Sequence, residues 1–159
     1  MSEQGSERFM RRAIALSREG MEGGRGGPFG AVVVAGDRIV GEGSNRVTSA
    51  LDPTAHAEVV AIRAACAALG RFELRGCEIY TSCEPCPMCL SAIYWARLDR
   101  VYYANDRAAA ARIGFDDELL YREVALPVDG RRLPMVRLLP DEARAAFEAW
   151  ERKPDRVPY

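Results

Sequence analysis

Two short motifs limit the folds open to this chain more than anything else in it: His56-Ala57-Glu58 and Pro85-Cys86-Pro87-Met88-Cys89. The stretch between them has room for a helix and a strand, so a shared task requires the fold to bring them back together. The residue types indicate the task. One imidazole and two thiolates make three ligands of a tetrahedral zinc and leave a fourth position for water. The thiolate charges cancel that of the ion, which makes its Lewis acidity softer than in a three-imidazole site. A carboxylate beside the metal can take the water's proton and hand it on, and Glu58 is the candidate.

Local geometry supports the pairing. Cys86 and Cys89 are three apart, so on a helix they share a face and can grip one ion. Pro85 and Pro87 suit the approach to such a helix and its first turn, where a missing N–H costs little. Thiolates at that end also gain from the helix dipole. His56 and Glu58 are two apart and in mid-helix would point to opposite sides. They converge only if the helix begins there, and Asp52-Pro53-Thr54 supplies a start signal. Both halves of the site are therefore expected at helix N-termini.

Plainer readings stand beside this one. His56 is the only histidine, and a lone histidine is more often a core or surface residue than a ligand. A Cys-x-x-Cys can be redox-active. Cys83, Cys86 and Cys89 form a double Cys-x-x-Cys that resembles an iron–sulfur run, but that run needs a further Cys and Pro where this chain has Ile93 and Tyr94. Redox chemistry leaves the His-x-Glu and the prolines without a purpose. A closed structural zinc site would need a fourth protein ligand, with Cys83 the only nearby candidate, and would leave Glu58 idle. Metal-dependent hydrolysis uses all of them.

The chain has 159 residues, a length that suits one domain with a full core. With 48% hydrophobic and 28% charged residues it has the composition of an ordinary globular protein. Its 22 basic and 23 acidic residues nearly cancel, which argues against a nucleic-acid partner. The late arginines Arg131, Arg132, Arg137 and Arg144 read as solvated surface. The five cysteines lack a disulfide framework; Cys66 reads as a small buried hydrophobe, and Cys77 is uninformative. The polar opening Met1-Ser2-Glu3-Gln4-Gly5 carries no apolar run for a signal peptide or membrane span. A reducing cytoplasm is the expected location.

Apolar spacing at Phe9, Ala13 and Leu16 predicts a first amphipathic helix stopping at Gly20. Ala31–Ala35 and Arg38–Glu42 predict a hairpin turning at Gly36-Asp37. A second helix is expected from Pro53 to Leu69, closed by Gly70. Glu78–Thr81 reads as the strand delivering the cysteines, Pro87–Trp95 as a third helix, and Arg100–Ala104 as a fourth strand. A helical stretch over 106–123 is interrupted at Gly114. Pro134–Leu139 is expected as a fifth strand, followed by a last helix over Asp141–Arg152 with Asp141 as its N-cap. The order implies an α/β fold: a three-layer α/β/α sandwich around a mixed five-stranded sheet, in one domain over 1–159.

The His-x-Glu with Pro-Cys-x-x-Cys is the pattern of zinc-dependent base deaminases. The chain resembles the cytidine-deaminase-like superfamily and, within it, the bacterial guanine deaminases. The likeness runs through Gly27-Pro28-Phe29-Gly30-Ala31, Asn45, Asp52–Glu58 and Tyr80–Cys89. It continues through Ala92-Ile93-Tyr94-Trp95-Ala96-Arg97, Gly114-Phe115-Asp116-Asp117 and the terminal Tyr159. The zinc motif specifies only the superfamily; the Gly-Phe-Asp-Asp run, the surroundings of Trp95 and the final tyrosine point to the guanine branch. Ser91 stands where members of that branch carry Gly, a small-for-small change.

The resemblance implies one zinc per chain on His56, Cys86 and Cys89, with Glu58 as proton shuttle. It implies that Asn45 bonds the base edge, Asp117 accepts from ring N–H groups, and Phe29 and Trp95 flank a flat purine. Tyr159 would reach in from the partner subunit of a homodimer whose tails, about 153–159, are exchanged. Plainer roles exist for each: Phe29 and Trp95 as core, Asp117 as a helix cap, Asn45 as a turn residue, the tail as a frayed end. The implied reaction is hydrolysis of free guanine to xanthine and ammonia, in purine catabolism or salvage. Ammeline, adenine or cytosine are rival substrates on the same machinery, and adenosine in tRNA is another that would need a basic groove. No nucleic acid and no membrane are expected as partners.

Overall fold

The run Val32-Val33-Val34 is buried on both faces of a sheet, in a computed structural model that describes residues 3–159. The polar opening at Met1-Ser2 lies outside those residues. Along the chain come α1 (Glu3–Glu22), β1 (Gly30–Ala35), β2 (Arg38–Ser44), α2 (Val47–Ala50), α3 (Ala57–Leu69) and β3 (Cys77–Cys83). Then follow α4 (Pro87–Trp95), β4 (Arg100–Asn105), α5 (Arg107–Arg112), α6 (Glu118–Ala125), a 3-10 turn at Val128–Gly130, and α7 (Pro140–Arg152).

The sheet has the order β2-β1-β3-β4, with β1 antiparallel to both neighbours and β4 parallel to β3. Side chains of β1 and β3 alternate between two cores, as the pleat requires. Ala31, Val33 and Ile79 pack with Ala57, Ala61 and Ala65 of α3 and with Ile93 near the end of α4. Val32, Val34 and Tyr80 pack on the other face with Phe9, Ala13 and Leu16 of α1. Full burial contributes about 1.5–3 kcal/mol for each such valine or isoleucine, an upper figure because unfolded chains already bury some surface. Tyr80 adds a stacked contact with Tyr102, ring centroids 4.5 Å apart.

Close approach of α3 to the sheet depends on two glycines. A Cβ on Gly41 would stand 2.3 Å from the Ala61 carbonyl oxygen, and one on Gly43 would stand 2.2 Å from that of Ala57. Any side chain there would push away the start of α3, which carries half of the motif pair.

Several expectations need correcting. The hairpin forms as anticipated, but its register shifts between Val33 and Val34, which face Gly41 and Ile39, so Val40 is an extra residue on β2. The second helix begins at Ala57, not Pro53, because Asp52 closes a local turn instead: its Oδ1 accepts from Thr54 N (2.8 Å) and Thr54 Oγ1 (2.7 Å). The helical stretch over 106–123 is interrupted at Gly114 as anticipated, with that residue at φ +93 between α5 and α6.

The sheet has four strands among the described residues, not five. Pro134–Leu139 runs without regular structure, with Val136 85% and Leu138 79% exposed. Strand-forming residues alone do not make a strand when no ladder partner lies beside them. The last helix is capped not by Asp141 but by Leu139, in the left-handed region at φ 51, with Pro140 opening the first turn.

The chain divides into two compact units, Met1–Asp117 and Glu118–Tyr159. The first contains the whole sheet. In the second, neither α6 nor α7 has a buried residue. Among the described residues, no helix is long and apolar enough to cross a membrane.

Candidate active site

Both motifs open helices, and the two helix starts face each other. His56 is the N-cap of α3, with extended backbone (φ −67, ψ 155), and Glu58 follows in the first turn. The change from extended to helical backbone between them lets residues two apart serve one site, which mid-helix geometry forbids. Cys86 is the N-cap of α4, also extended (φ −65, ψ 167), and Pro87 occupies the first helical position. Cys89 lies in the first turn and is fully buried.

The ligand atoms of His56, Cys86 and Cys89 all lie within 4.8 Å of one another. His56 Nδ1 stands 3.6 Å from Cys86 Sγ and 3.5 Å from Cys89 Sγ. One imidazole and two sulfurs at this spacing fit a tetrahedral zinc and provide three of its four ligands. A hydrogen bond from Cys89, with a further one from His56, lowers the Cys86 thiol to about 4, while the same bond to Cys86 raises the Cys89 thiol. Bonding to Cys86 in turn raises His56.

Cys83 stays apart from that cluster. Its Sγ is 3.8 Å from the Asp106 carbonyl oxygen, and burial pushes its thiol up to about 11. Three donors and no fourth, among the described residues, make an open site of the catalytic kind and leave a closed structural one without support. Glu58 is 7% exposed and outside the ligand group. Burial raises its carboxyl above the usual range.

The other expected site residues are placed as follows. Asn45 is buried, and its Oδ1 accepts from Gly27 N and Val47 N, each at 3.2 Å. Those two bonds fix which end of the amide is oxygen. Phe29 is partly buried against the α3 side of the sheet, and its ring meets that of Phe115 edge-on at 4.8 Å. Trp95 ends α4 and is 65% exposed, so it is not the core residue its size suggests. Asp117 is mostly covered and pairs with Arg107, Nε to Oδ1, at 3.5 Å. Tyr159 belongs to the second compact unit and is 74% exposed.

Two partners at the site escape a reading from residue types. Phe115 sits inside the Gly-Phe-Asp-Asp run, yet nothing in that run shows that it meets Phe29. Arg107 is one of many arginines, and no spacing rule marks it out.

Comparison with known proteins agrees with this geometry. Residues 3–105 match the cytidine and deoxycytidylate deaminase zinc-binding region. Guanine deaminase of Bacillus subtilis is 49% identical over 153 residues, 96% of this chain and 98% of that one. A solved structure of guanine deaminase from Bacillus subtilis superposes with a TM-score of 0.94 at 48% identity, covering 100% of this chain and 99% of the other. The tRNA-specific adenosine deaminase of Agrobacterium fabrum is 47% identical over 76 residues, which is 48% of this chain and 50% of that one. With its zinc-binding region matched and its likeness to the Bacillus enzyme running almost end to end, the chain belongs to the cytidine and deoxycytidylate deaminase zinc-binding family, in the branch of the guanine deaminases.

Proposed function

We propose that this protein hydrolyses the amino group from C2 of free guanine, yielding xanthine and ammonia. The observation that carries the proposal is the extent of the likeness to guanine deaminase, which goes beyond the zinc-binding region to cover 96% of this chain and 98% of the relative. The match to the tRNA enzyme spans half of each.

Zinc on His56, Cys86 and Cys89, when bound, supplies Lewis acidity toward a water in its open position. Glu58 takes a proton from the attacking water as the C2–O bond forms and passes it to the adjoining ring nitrogen; it then carries the proton of the new C2 hydroxyl to the amino group, which leaves as ammonia as the C2 carbonyl forms. A buried carboxyl with raised proton affinity suits both halves of that transfer.

Recognition of the base falls to the surrounding side chains. Because Asn45 Oδ1 is held by two backbone N–H groups, its NH2 is the end offered to an acceptor on the purine. Asp117 accepts from ring N–H groups, while Phe29 and Trp95 flank the flat base. Tyr159, on a tail stiffened by Pro154 and Pro158, crosses to the partner subunit of a homodimer and closes its pocket. Excluding water there strengthens every charge interaction with the substrate. Thiol ligands require reduced cysteines, which supports a cytoplasmic location.

Ammonia release from guanine, ammeline, adenine, cytosine and guanosine tests the assignment. Guanine should be turned over far better than the rest. Robust activity on tRNA with none on free guanine would overturn it.

A further inference from the structure

Asp117 reaches its place through a sharp reversal of the chain. α5 ends at Arg112, and Gly114 takes φ +93 with open space where a Cβ would stand. The N–H groups of Gly114 and Phe115 close the turn on the carbonyls of Ala111 and Ala110, each at 3.0 Å. No regular element spans 113–117, so side-chain anchors must set the direction of the Asp117 carboxylate. Beside a hydrogen bond from its own backbone, the Asp117 carboxylate meets the Arg107 guanidinium, Nε to Oδ1, at 3.5 Å.

Arg107 is itself tied to the loop that carries the thiols. Its backbone N–H donates to Glu84 Oε2 at 3.0 Å, and the Glu84 N–H donates to the Asn105 carbonyl at 2.8 Å. Asp106 caps the same turn by accepting from Ala109 N at 2.7 Å. Glu84 lies two positions before Cys86. A shift of the metal loop is thus transmitted through Glu84 to Arg107 and onward to Asp117.

We infer that Arg107 is the positioning residue for Asp117, holding its carboxylate in the frame of the metal loop, to which Glu84 binds the start of α5. The inference rests on Asp117 being a group that reads the base. A guanidinium fixed at its backbone end loses little freedom on pairing, and its flat fork orients a carboxylate in a way an ammonium does not. It also favours the ionised carboxylate that accepting from ring N–H groups requires: burial raises Asp117, and the charge of Arg107 opposes that.

The test is a double-mutant cycle in the zinc-loaded full chain, read as kcat/KM for guanine. Arg107→Met should lower it by about ten- to a hundredfold, the cost of misplacing a site group by roughly an ångström, while zinc content stays unchanged. Arg107→Lys should recover part of that loss. In an Asp117→Ala background, Arg107→Met should change kcat/KM by no more than about twofold, because a residue acting through another has nothing left to act on. Full multiplication of the two losses would refute the inference while leaving the role of Asp117 intact, as would Arg107→Met within about twofold of the parent. An Asp117→Ala enzyme as active as the parent would instead remove the base-reading role, and the inference with it. If Arg107→Met loses zinc, the same cycle run with Arg107→Lys decides.

Discussion

The two compact units use their apolar residues in opposite ways. In Met1–Asp117 the apolar positions alternate along β1 and β3 and disappear into two cores, one under α1 and one under α3 and α4. In Glu118–Tyr159, Leu133, Met135, Val136, Leu138, Phe147 and Val157 all remain more than half exposed. The lesson is that apolar content does not amount to a core. A sheet whose covering helices are encoded on either side of it buries itself, whereas a segment without such partners presents its apolar surface outward. Exposed apolar surface of this extent is what the proposed exchange of tails in a homodimer would cover. The metal cluster lies entirely in the first unit.

The largest expected effect breaks the chemistry of the first unit alone. Glu58→Gln should keep about one zinc per chain and lose roughly 10²–10⁴-fold in turnover, the usual worth of a general acid–base. Cys86→Ala and Cys89→Ala should lose the metal, and Cys83→Ala should keep both metal and activity. Metal analysis beside ammonia release checks all four. A zinc-free Gln variant would make Glu58 a ligand and defeat the assignment.

Next comes a cut confined to the second unit. Deleting residues 155–159 should leave folding and zinc content unchanged yet remove most guanine turnover. If chains exchange tails, mixing the truncated protein with Glu58→Gln chains after partial unfolding should restore some activity in hybrid dimers. Undiminished turnover by the truncated protein would mean that the second unit adds nothing to the reaction.

Paired core substitutions sharpen the contrast. Ile79→Ala, at a fully buried position, should cost about 2–5 kcal/mol in denaturant unfolding. Val136→Ala, at an 85% exposed one, should stay within about 0.5 kcal/mol. A loss at Val136 comparable to that at Ile79 would place Val136 within the surface that the proposed homodimer covers.

What the sequence disclosed does not follow that division. The hairpin was legible because the valines and Gly36-Asp37 agree on where strand ends and turn begins, and α4 because Pro87 and its neighbours mark a helix start. The metal triad was legible because its spacing is dictated by the ion. The start of α3 was not, since Asp52-Pro53-Thr54 serves a turn as well as a helix, and its use is decided by the Asp52–Thr54 bonds. The fifth strand failed for a related reason: Pro134–Leu139 has strand-like residues, but pairing is a property of two segments. At the site, Asn45 could be named from the family likeness, but not that its Oδ1 is held by the N–H groups of Gly27 and Val47. Arg107 and Asp117 are joined only by the reversal at Gly114, which residue types do not reveal.

The smallest expected effect compares ion pairs in the two units. Arg12 of α1 reaches Glu42 of β2 with two bonds, Nε to Oε1 at 2.8 Å and Nη2 to Oε2 at 2.7 Å, joining elements distant in sequence. In the second unit the pair Arg144–Asp141 joins neighbours on one helix and is largely exposed. The hydrogen bonds from Arg12 hold the Glu42 carboxyl below its ordinary 4.5, against the opposing effect of burial. Folding therefore sheds protons from Glu42 in the window just below 4.5, and the unfolded chain binds more of them there. Its contribution is complete above that value and is lost as pH falls through the lower, folded value. Because both side chains remain more than a third exposed, solvent screening limits the pair to below about 1 kcal/mol. Glu42→Gln should thus lower the thermal midpoint at pH 7 by about 2 °C or less, more at low salt, with the difference from the parent vanishing at strongly acidic pH. Asp141→Asn should leave the midpoint where it is. A drop for Asp141→Asn as large as that for Glu42→Gln would show that pairs within a single helix stabilise this chain as much as those that join a helix to the sheet.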